Sequence, residues 1–337
     1  MRLLGTFGSA VGWGAAIALL AACSGAPVTP SSPGTLNAVA RPSHGVSAPN
    51  GTLGVSTSLH SKMNAGAGWL SPQAQAGKAL LFVADQGNQR VWIYPQKGTN
   101  PAPIGQITDA VSGPDGIYVD KNGTLYVCNF GNGTVTEYPK GQTTSSKTLT
   151  GAGSPKYVIA GGNGTVYVSD FHGSAGGRVL EYAGGSTTPT TTIPFQTFPA
   201  GIALDGHGRI YVAYQDSGNN DMEVLRFAPG KTKGKNLGIH VKFGYPGGAT
   251  IDRSGNLLVA DQSVSQVDVF PPGATAPSQV ISGFPLAYQI ALDHQNNHLY
   301  VSAPSGSVAE VNYPAGTPIQ SITNSLSGAY GVAVSPK

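Results

Sequence analysis

The chain has 337 residues, and Lys, Arg, Asp and Glu together make up 10% of it, far below the roughly 25% of an average globular domain. With 48 Gly and 25 Pro it is rich in turn formers, which fits an exported all-β protein. The net charge of +3 is scattered, with no run of Lys/Arg and no basic helix, so composition lends a nucleic-acid partner no support.

The N-terminus reads as an export signal. Met1 and Arg2 form a short positive start, and residues 3–20 are apolar or small. Leu20-Ala21-Ala22-Cys23 then places a cysteine directly after small residues. A charged start, an apolar core and a small-residue cut site make a signal peptide. The sequence around Cys23 resembles the bacterial lipobox, in which the thiol is lipidated and becomes the first mature residue. The expectation is a signal peptide over 1–22, lipidation at Cys23, and a location in the bacterial cell envelope on the exported side. Two acyl chains suffice for stable anchoring. No other stretch approaches the ~20 apolar residues of a membrane span. With Cys23 lipidated, Cys128 has no partner for an intrachain disulfide.

Residues 23–76 are Pro-, Ser- and Gly-rich without sustained periodicity, as expected of a flexible tether. The alternative of a packed extension applies to its last stretch, around Trp69-Leu70, because an isolated Trp is poorly left in water.

From Gly77 one pattern recurs six times. It reads roughly Pro-x-Gly-Ile-x-x-Asp-x-x-Gly-x-Leu-Tyr-Val-x-Asp, a polar turn, then Val-x-x-Tyr-Pro-x-Gly. Its aromatic falls at Tyr94, Tyr138, Tyr182, Phe227, Phe270 and Tyr313, in steps of 43 to 45 residues. A period of about 40–45 with several short strands per unit marks a β-propeller blade. The Asp-x-x-Gly segments supply the left-handed residue of tight hairpins. The first unit lacks an inner strand, and Tyr330-Gly331-Val332-Ala333-Val334 at the C-terminus has the missing pattern. The fold expected over 77–337 is therefore an all-β, six-bladed propeller closed by its C-terminal strand, which removes the open edge. It is expected to be a monomer.

Ala84-Asp85-Gln86-Gly87-Asn88-Gln89-Arg90-Val91 resembles the NHL repeat, whose hallmark is Ala-Asp-x-x-Asn-x-Arg-Val. The likeness is sharpest there and loosens in later units. It implies a six-bladed propeller, a fold that hosts binding modules and enzymes alike. Six-bladed relatives include gluconolactonase-like hydrolases, which use a divalent metal bound by carboxylate and Asn. Streptogramin-lyase-like propellers use His and Glu around a metal.

In such a propeller, ligands are expected on the face shared by two loop sets. The first follows the second strand of each blade and holds Asp85, Asn129, Asp170, Tyr214, Asp261 and Ala303 at equivalent positions. These side chains are expected to serve their own turns, with metal coordination the alternative. Cys128 occupies a slot that is small in every blade and is expected to be plain core. The second loop set links blades and brings in Asp115, Lys156, Tyr157, Tyr288 and Tyr330. Two turns break the repeat, 170–178 and 214–221, and departures from a repeat often map to the binding face. The candidate binding face is therefore Asp115, Lys156, Asp170, Phe171, His172, Tyr214, Asp216, Asp221, Asp261 and Tyr288.

The chain has only four Glu, with Glu137 and Glu181 on third strands far from the axis. His207, His294 and His298 fall in hairpins on the opposite face, leaving His172 and His240 as the histidines in reach. No His/Glu pair has the spacing of a catalytic metal site, and no Gly-x-Ser-x-Gly elbow is present. The expected function is non-catalytic binding of a protein, peptide or glycan by a membrane-anchored propeller, with no cofactor. A metal-dependent lactonase- or lyase-like enzyme, carrying a divalent cation, is the alternative.

Overall fold

The computed structural model describes residues 67–75, 77–171, 176–242 and 244–336. Their strands form six antiparallel sheets arranged as the blades of a propeller. Blades 2 to 6 have four strands each, in sequence order from axis to rim. Their inner strands are Pro114–Val119, Pro155–Ala160, Pro199–Leu204, Pro246–Ile251 and Ile290–Leu292.

Blade 1 differs at both ends. Its inner strand is the C-terminal Ala329–Val334, which pairs with Leu80–Asp85 from Leu81↔Val334 to Asp85↔Ala329. Ring closure thus occurs as the repeat predicts. At the outer edge Trp69–Leu70 pairs with Gly105–Ile107 and adds a fifth strand. The short helix Pro72–Gln75 follows it. The signal peptide, Cys23 and the tether up to residue 66 lie outside the described residues, and no described helix is long and apolar enough to cross a membrane.

Apolar residues alternate along the strands and meet between neighbouring blades. Tyr126, Val135 and Leu149 of blade 2, for example, bury against Val158, Val168 and Leu180 of blade 3. Cys128 lies in this cluster, fully buried, and burial pushes its thiol well above the ordinary range. The repeating tyrosine is buried by the same packing, and in blades 1 to 3 its hydroxyl finds a polar partner in the link that precedes its blade. Tyr94 donates to Asn324 O at 2.6 Å, Tyr138 to Asp109 O at 2.5 Å and Tyr182 to Thr150 O at 3.0 Å. A buried phenol without such a partner would carry a desolvation penalty.

The Asp-x-x-Gly hairpins behave as the sequence implies. Asp120 Oδ1 accepts from the amides of Asn122 and Thr124 at 2.9 and 2.8 Å, while Gly123 takes φ 86°. These hairpins lie at one end of the propeller axis, and the links and second-strand ends lie at the other.

The inner strands carry the feature that builds the site. Their register slips at the entry in blades 1 to 5. Pro114 faces Asn129 while Ile117 faces Val127, and Pro155 faces Asp170 while Tyr157 faces Ser169. The same slip recurs after Pro199, Pro246 and Ala329. A bulge of this kind leaves a residue off the ladder and re-aims its side chain. Asp115, Lys156, Ala200, Gly247 and Tyr330 occupy that position, with Tyr288 their counterpart in blade 6.

Directly below, the axis closes. A Cβ on Gly116 would sit 2.2 Å from Lys156 O, and one on Gly331 would sit 2.3 Å from Asp115 O. Glycine is required there so that neighbouring backbones can touch. Gln289 fills the remaining gap. Its Oε1 accepts from Ile117 N and Val332 N, both at 3.1 Å, and its Nε2 donates to Ile117 O at 2.8 Å. One buried amide so ties blade 6 to blades 1 and 2 across the axis.

Candidate functional site

Above the Gln289 plug the bulged residues form a shallow cup. Asp115 lies at its base, fully buried. Lys156 Nζ donates to Asp115 Oδ2 at 2.9 Å and to the Tyr288 hydroxyl. Tyr288 in turn donates to Asp115 Oδ1 at 3.0 Å. Burial pushes the Asp115 carboxyl upward; the Lys156 charge and these hydrogen bonds pull it back only in part. Burial and the adjacent carboxylate also drive the Tyr288 phenol well above its ordinary value, so it is a hydrogen-bond donor throughout the accessible pH range.

Aromatic rings surround this triad. Lys156 Nζ lies 5.0 Å from the Phe130 ring centroid, 5.2 Å from Tyr288 and 5.6 Å from Phe171, within cation–π range. Tyr330 packs edge-on to Tyr288 at 5.0 Å, and Phe198 packs against Phe171 at 4.8 Å. Three rings near the rim stay partly in water: Phe130 and Phe198 are 39% exposed and Tyr245 is 38% exposed. The cup therefore presents one ammonium and several aromatic faces to a ligand. Lys156 has three N–H donors. Asp115 and Tyr288 engage two, which leaves the third for an acceptor.

The structure sorts the residues singled out from the sequence. Asp115, Lys156, Phe171 and Tyr288 come together in the cup, and Tyr157 lies beneath it with its ring 6.1 Å from Tyr288. Asp170 and Asp261 are buried beside the cup but turn away into the links. Asp170 Oδ1 accepts from Gly153 N and Ser154 N at 2.9 and 2.6 Å, and its Oδ2 pairs with Arg178 Nε at 2.8 Å. Asp261 Oδ1 accepts from Tyr245 N at 3.4 Å and Ser263 N at 2.9 Å. Asp85 and Asn129 do the same work, accepting from Gly328 N at 2.9 Å and Ser112 N at 3.0 Å. The expected turn role thus widens: in blades 1, 2, 3 and 5 this side chain stitches the second strand to the incoming link.

Three other candidates are occupied elsewhere. Tyr214 points into blade 4, where its hydroxyl donates to Glu223 Oε2 at 2.6 Å. Asp216 closes its own turn, accepting from Gly218 N at 3.0 Å, and Asp221 is a buried member of that turn. His240, placed in reach of the face by the sequence, sits on the outer strand Lys235–Val241 with Nδ1 3.1 Å from Glu223 Oε1. His172 lies outside the described residues.

Phe130, Phe198 and Tyr245 were not among the expected residues. A positional signal exists for each. Phe130 and Phe171 both directly follow the stitching residue of their blades, and Phe198 and Tyr245 both directly precede the proline that opens an inner strand.

A family model described as SMP-30/Gluconolactonase/LRE-like region matches residues 71–172. None of the curated proteins matches the chain. Three solved structures share the architecture. A chain of the nidogen/laminin complex has 16% identity and a TM-score of 0.63, covering 77% of this chain and 98% of that one. A functionally unknown protein from Desulfotomaculum acetoxidans DSM 771 has 16% identity and a TM-score of 0.56, covering 76% and 98%. Kuenenia stuttgartiensis hydrazine synthase has 14% identity and a TM-score of 0.53, covering 80% and 88%. At these identities the likeness concerns the fold. The chain is a six-bladed β-propeller.

The gluconolactonase likeness implies a divalent metal held by carboxylate and Asn side chains, and the axial residues do not fit one. Of the six axial positions only Asp115 supplies a carboxylate. The ammonium of Lys156, in contact with Asp115, already places a positive charge where a metal would have to bind. Among the described residues no three His, Cys, Asp or Glu side chains converge.

Proposed function

We propose that this protein is a non-catalytic binding propeller, lipid-anchored through Cys23 on the exported side of a bacterial membrane, and that the cup is its ligand site. The observation that carries the reading is Lys156, held by Asp115 and Tyr288 under a rim of half-exposed aromatic rings. Aromatic faces stack on sugar rings or apolar side chains with little entropy cost. The third Lys156 N–H then donates to a hydroxyl, carbonyl or carboxylate oxygen of the same ligand. A glycan or peptide segment offers both features at this spacing.

Immobilised glycan and peptide panels probed with the purified chain test this. Binding that drops at least tenfold in Lys156→Met and in Phe130→Ala, with the fold intact, supports the cup. Binding unaffected by both substitutions refutes it.

The matched gluconolactonase-like region favours a second reading, a metal-dependent lactonase- or lyase-like enzyme. That reading requires a divalent ion at Asp115, and Lys156 opposes it.

A further inference from the structure

At the other end of the axis, between blades 4 and 5, lies a cavity of about 510 Å³. Arg209, Arg226 and Lys235 line it from blade 4; Arg253 also lines it from blade 5, but its Nη2 donates away, to His294 O of blade 6. The chain is poor in charge, yet residues 226–235 hold Arg226, Lys231, Lys233 and Lys235 with no acid between them. The register makes the crowding direct. Arg226 stands opposite Lys235 across the third and fourth strands of blade 4, on one face of the sheet. Like charges in that relation destabilise a sheet.

The two carboxylates lining the cavity do not relieve it. Asp205 accepts from Arg209 Nε at 2.6 Å and from the amides of His207 and Arg209 at 2.9 Å. Burial raises its carboxyl, but these bonds outweigh burial and hold it below the ordinary range. Asp252 accepts from Ser254 N at 2.9 Å, Asn256 N and Nδ2 at 2.8 Å, and the Tyr313 hydroxyl at 2.8 Å. Both acids are thus spent on their own hairpins and on Arg209 or Tyr313. Arg226 and Lys235 are left side by side with no carboxylate partner among the described residues, next to the Asp205-bound Arg209.

We propose that this cleft is a binding site for a phosphate group, separate from the cup. The guanidinium groups of Arg209 and Arg226 and the ammonium of Lys235, all on blade 4, suit the several oxygens of a phosphate better than a single carboxylate. Leu237, Ile239, Pro271 and Pro272 also line the cavity, so the organic part of the ligand has an apolar wall to lie against. The same headgroup chemistry occurs in free phosphorylated molecules and in phospholipids. The proposal does not depend on what the cup binds.

Calorimetric titration of the full chain with pyrophosphate, and separately with monomeric dihexanoylphosphatidylglycerol, tests it at fixed ionic strength, because surface charge effects are screened by salt. Saturable binding of at least one probe, weakened tenfold or more in Arg226→Gln/Lys235→Gln, is the expected result. Tighter binding of the lipid assigns the source as a headgroup, and tighter binding of pyrophosphate assigns a soluble phosphate. The double variant relieves the like-charge contact, so its melting temperature without probe is expected to hold or rise, which shows that it folds. No saturable binding of either probe, or equal binding by the double variant, overturns the proposal.

Discussion

Asp268 offers the sharpest quantitative check on the packing. It sits on the third strand of blade 5, 1% exposed, at the position that the other blades fill with Trp92, Thr136, Leu180, Leu225 and Val311. Its Oδ1 accepts one bond, from Gln266 Nε2 at 2.7 Å, and its Oδ2 has no hydrogen-bond partner among the described residues. Burial, only partly countered by the Gln266 bond and reinforced by nearby Asp261, pushes the carboxyl from 3.8 to about 6. A folded-state value above the unfolded one favours the folded protein in acid, and that contribution is lost as pH rises through about 6. At 1.36 kcal/mol per pH unit, the shift amounts to about 3 kcal/mol of destabilisation at pH 8. Asp268→Val removes the carboxylate at a site built for an apolar side chain. Guanidinium unfolding at pH 8 should show the variant more stable by about 2–3 kcal/mol. At pH 4, where Asp268 is largely protonated, the gain should vanish. A variant destabilised at pH 8, or a difference that does not change between pH 8 and pH 4, refutes the reasoning.

Gln289→Leu strips the plug of its three bonds and orphans Ile117 N, Ile117 O and Val332 N. At about 1–3 kcal/mol for each buried unpaired group, chemical denaturation should register a loss of about 3 kcal/mol or more, and a loss under 1 kcal/mol would show that water enters the axis. Deleting residues 331–337 removes the strand that pairs with Leu80–Asp85, so the truncated chain should fail to fold in soluble form. An unchanged melting temperature would contradict ring closure. Cys23→Ser should release the protein from membranes into the soluble fraction, and continued tight membrane association would count against the lipid anchor.

The blades were legible because their information is local. Apolar alternation, the Asp-x-x-Gly turns and the recurring tyrosine each act within a few residues, and the C-terminal strand carries the same pattern as the strand it replaces. The base of the cup was legible for a related reason: Asp115, Lys156 and Tyr288 hold the same place in the repeat. What the repeat does not encode is side-chain direction at strand ends. Tyr214 closes the second strand of blade 4 and turns toward Glu223, whereas Phe171, one place further along its own blade, turns toward Lys156. Nor does spacing reveal charge gathered from two blades. Arg226 and Arg253 are distant in sequence and line one cavity only because blades 4 and 5 pack side by side.

Two long turns, 170–178 and 214–221, depart from the repeat. Turn 214–221 closes on itself through Asp216, whereas the bulged entries of the inner strands converge on one ion pair. The bulged entries at the axis carry more chemistry than turn 214–221.

The central claim is that Lys156, rather than a metal, neutralises Asp115 in a binding cup. Divalent-metal content of the purified full chain, measured by mass spectrometry after dialysis against calcium, magnesium, manganese and zinc and then against metal-free buffer, tests it most directly. The account predicts no stoichiometric ion in the wild-type chain. One equivalent of tightly held divalent ion that is lost in Asp115→Ala would contradict it.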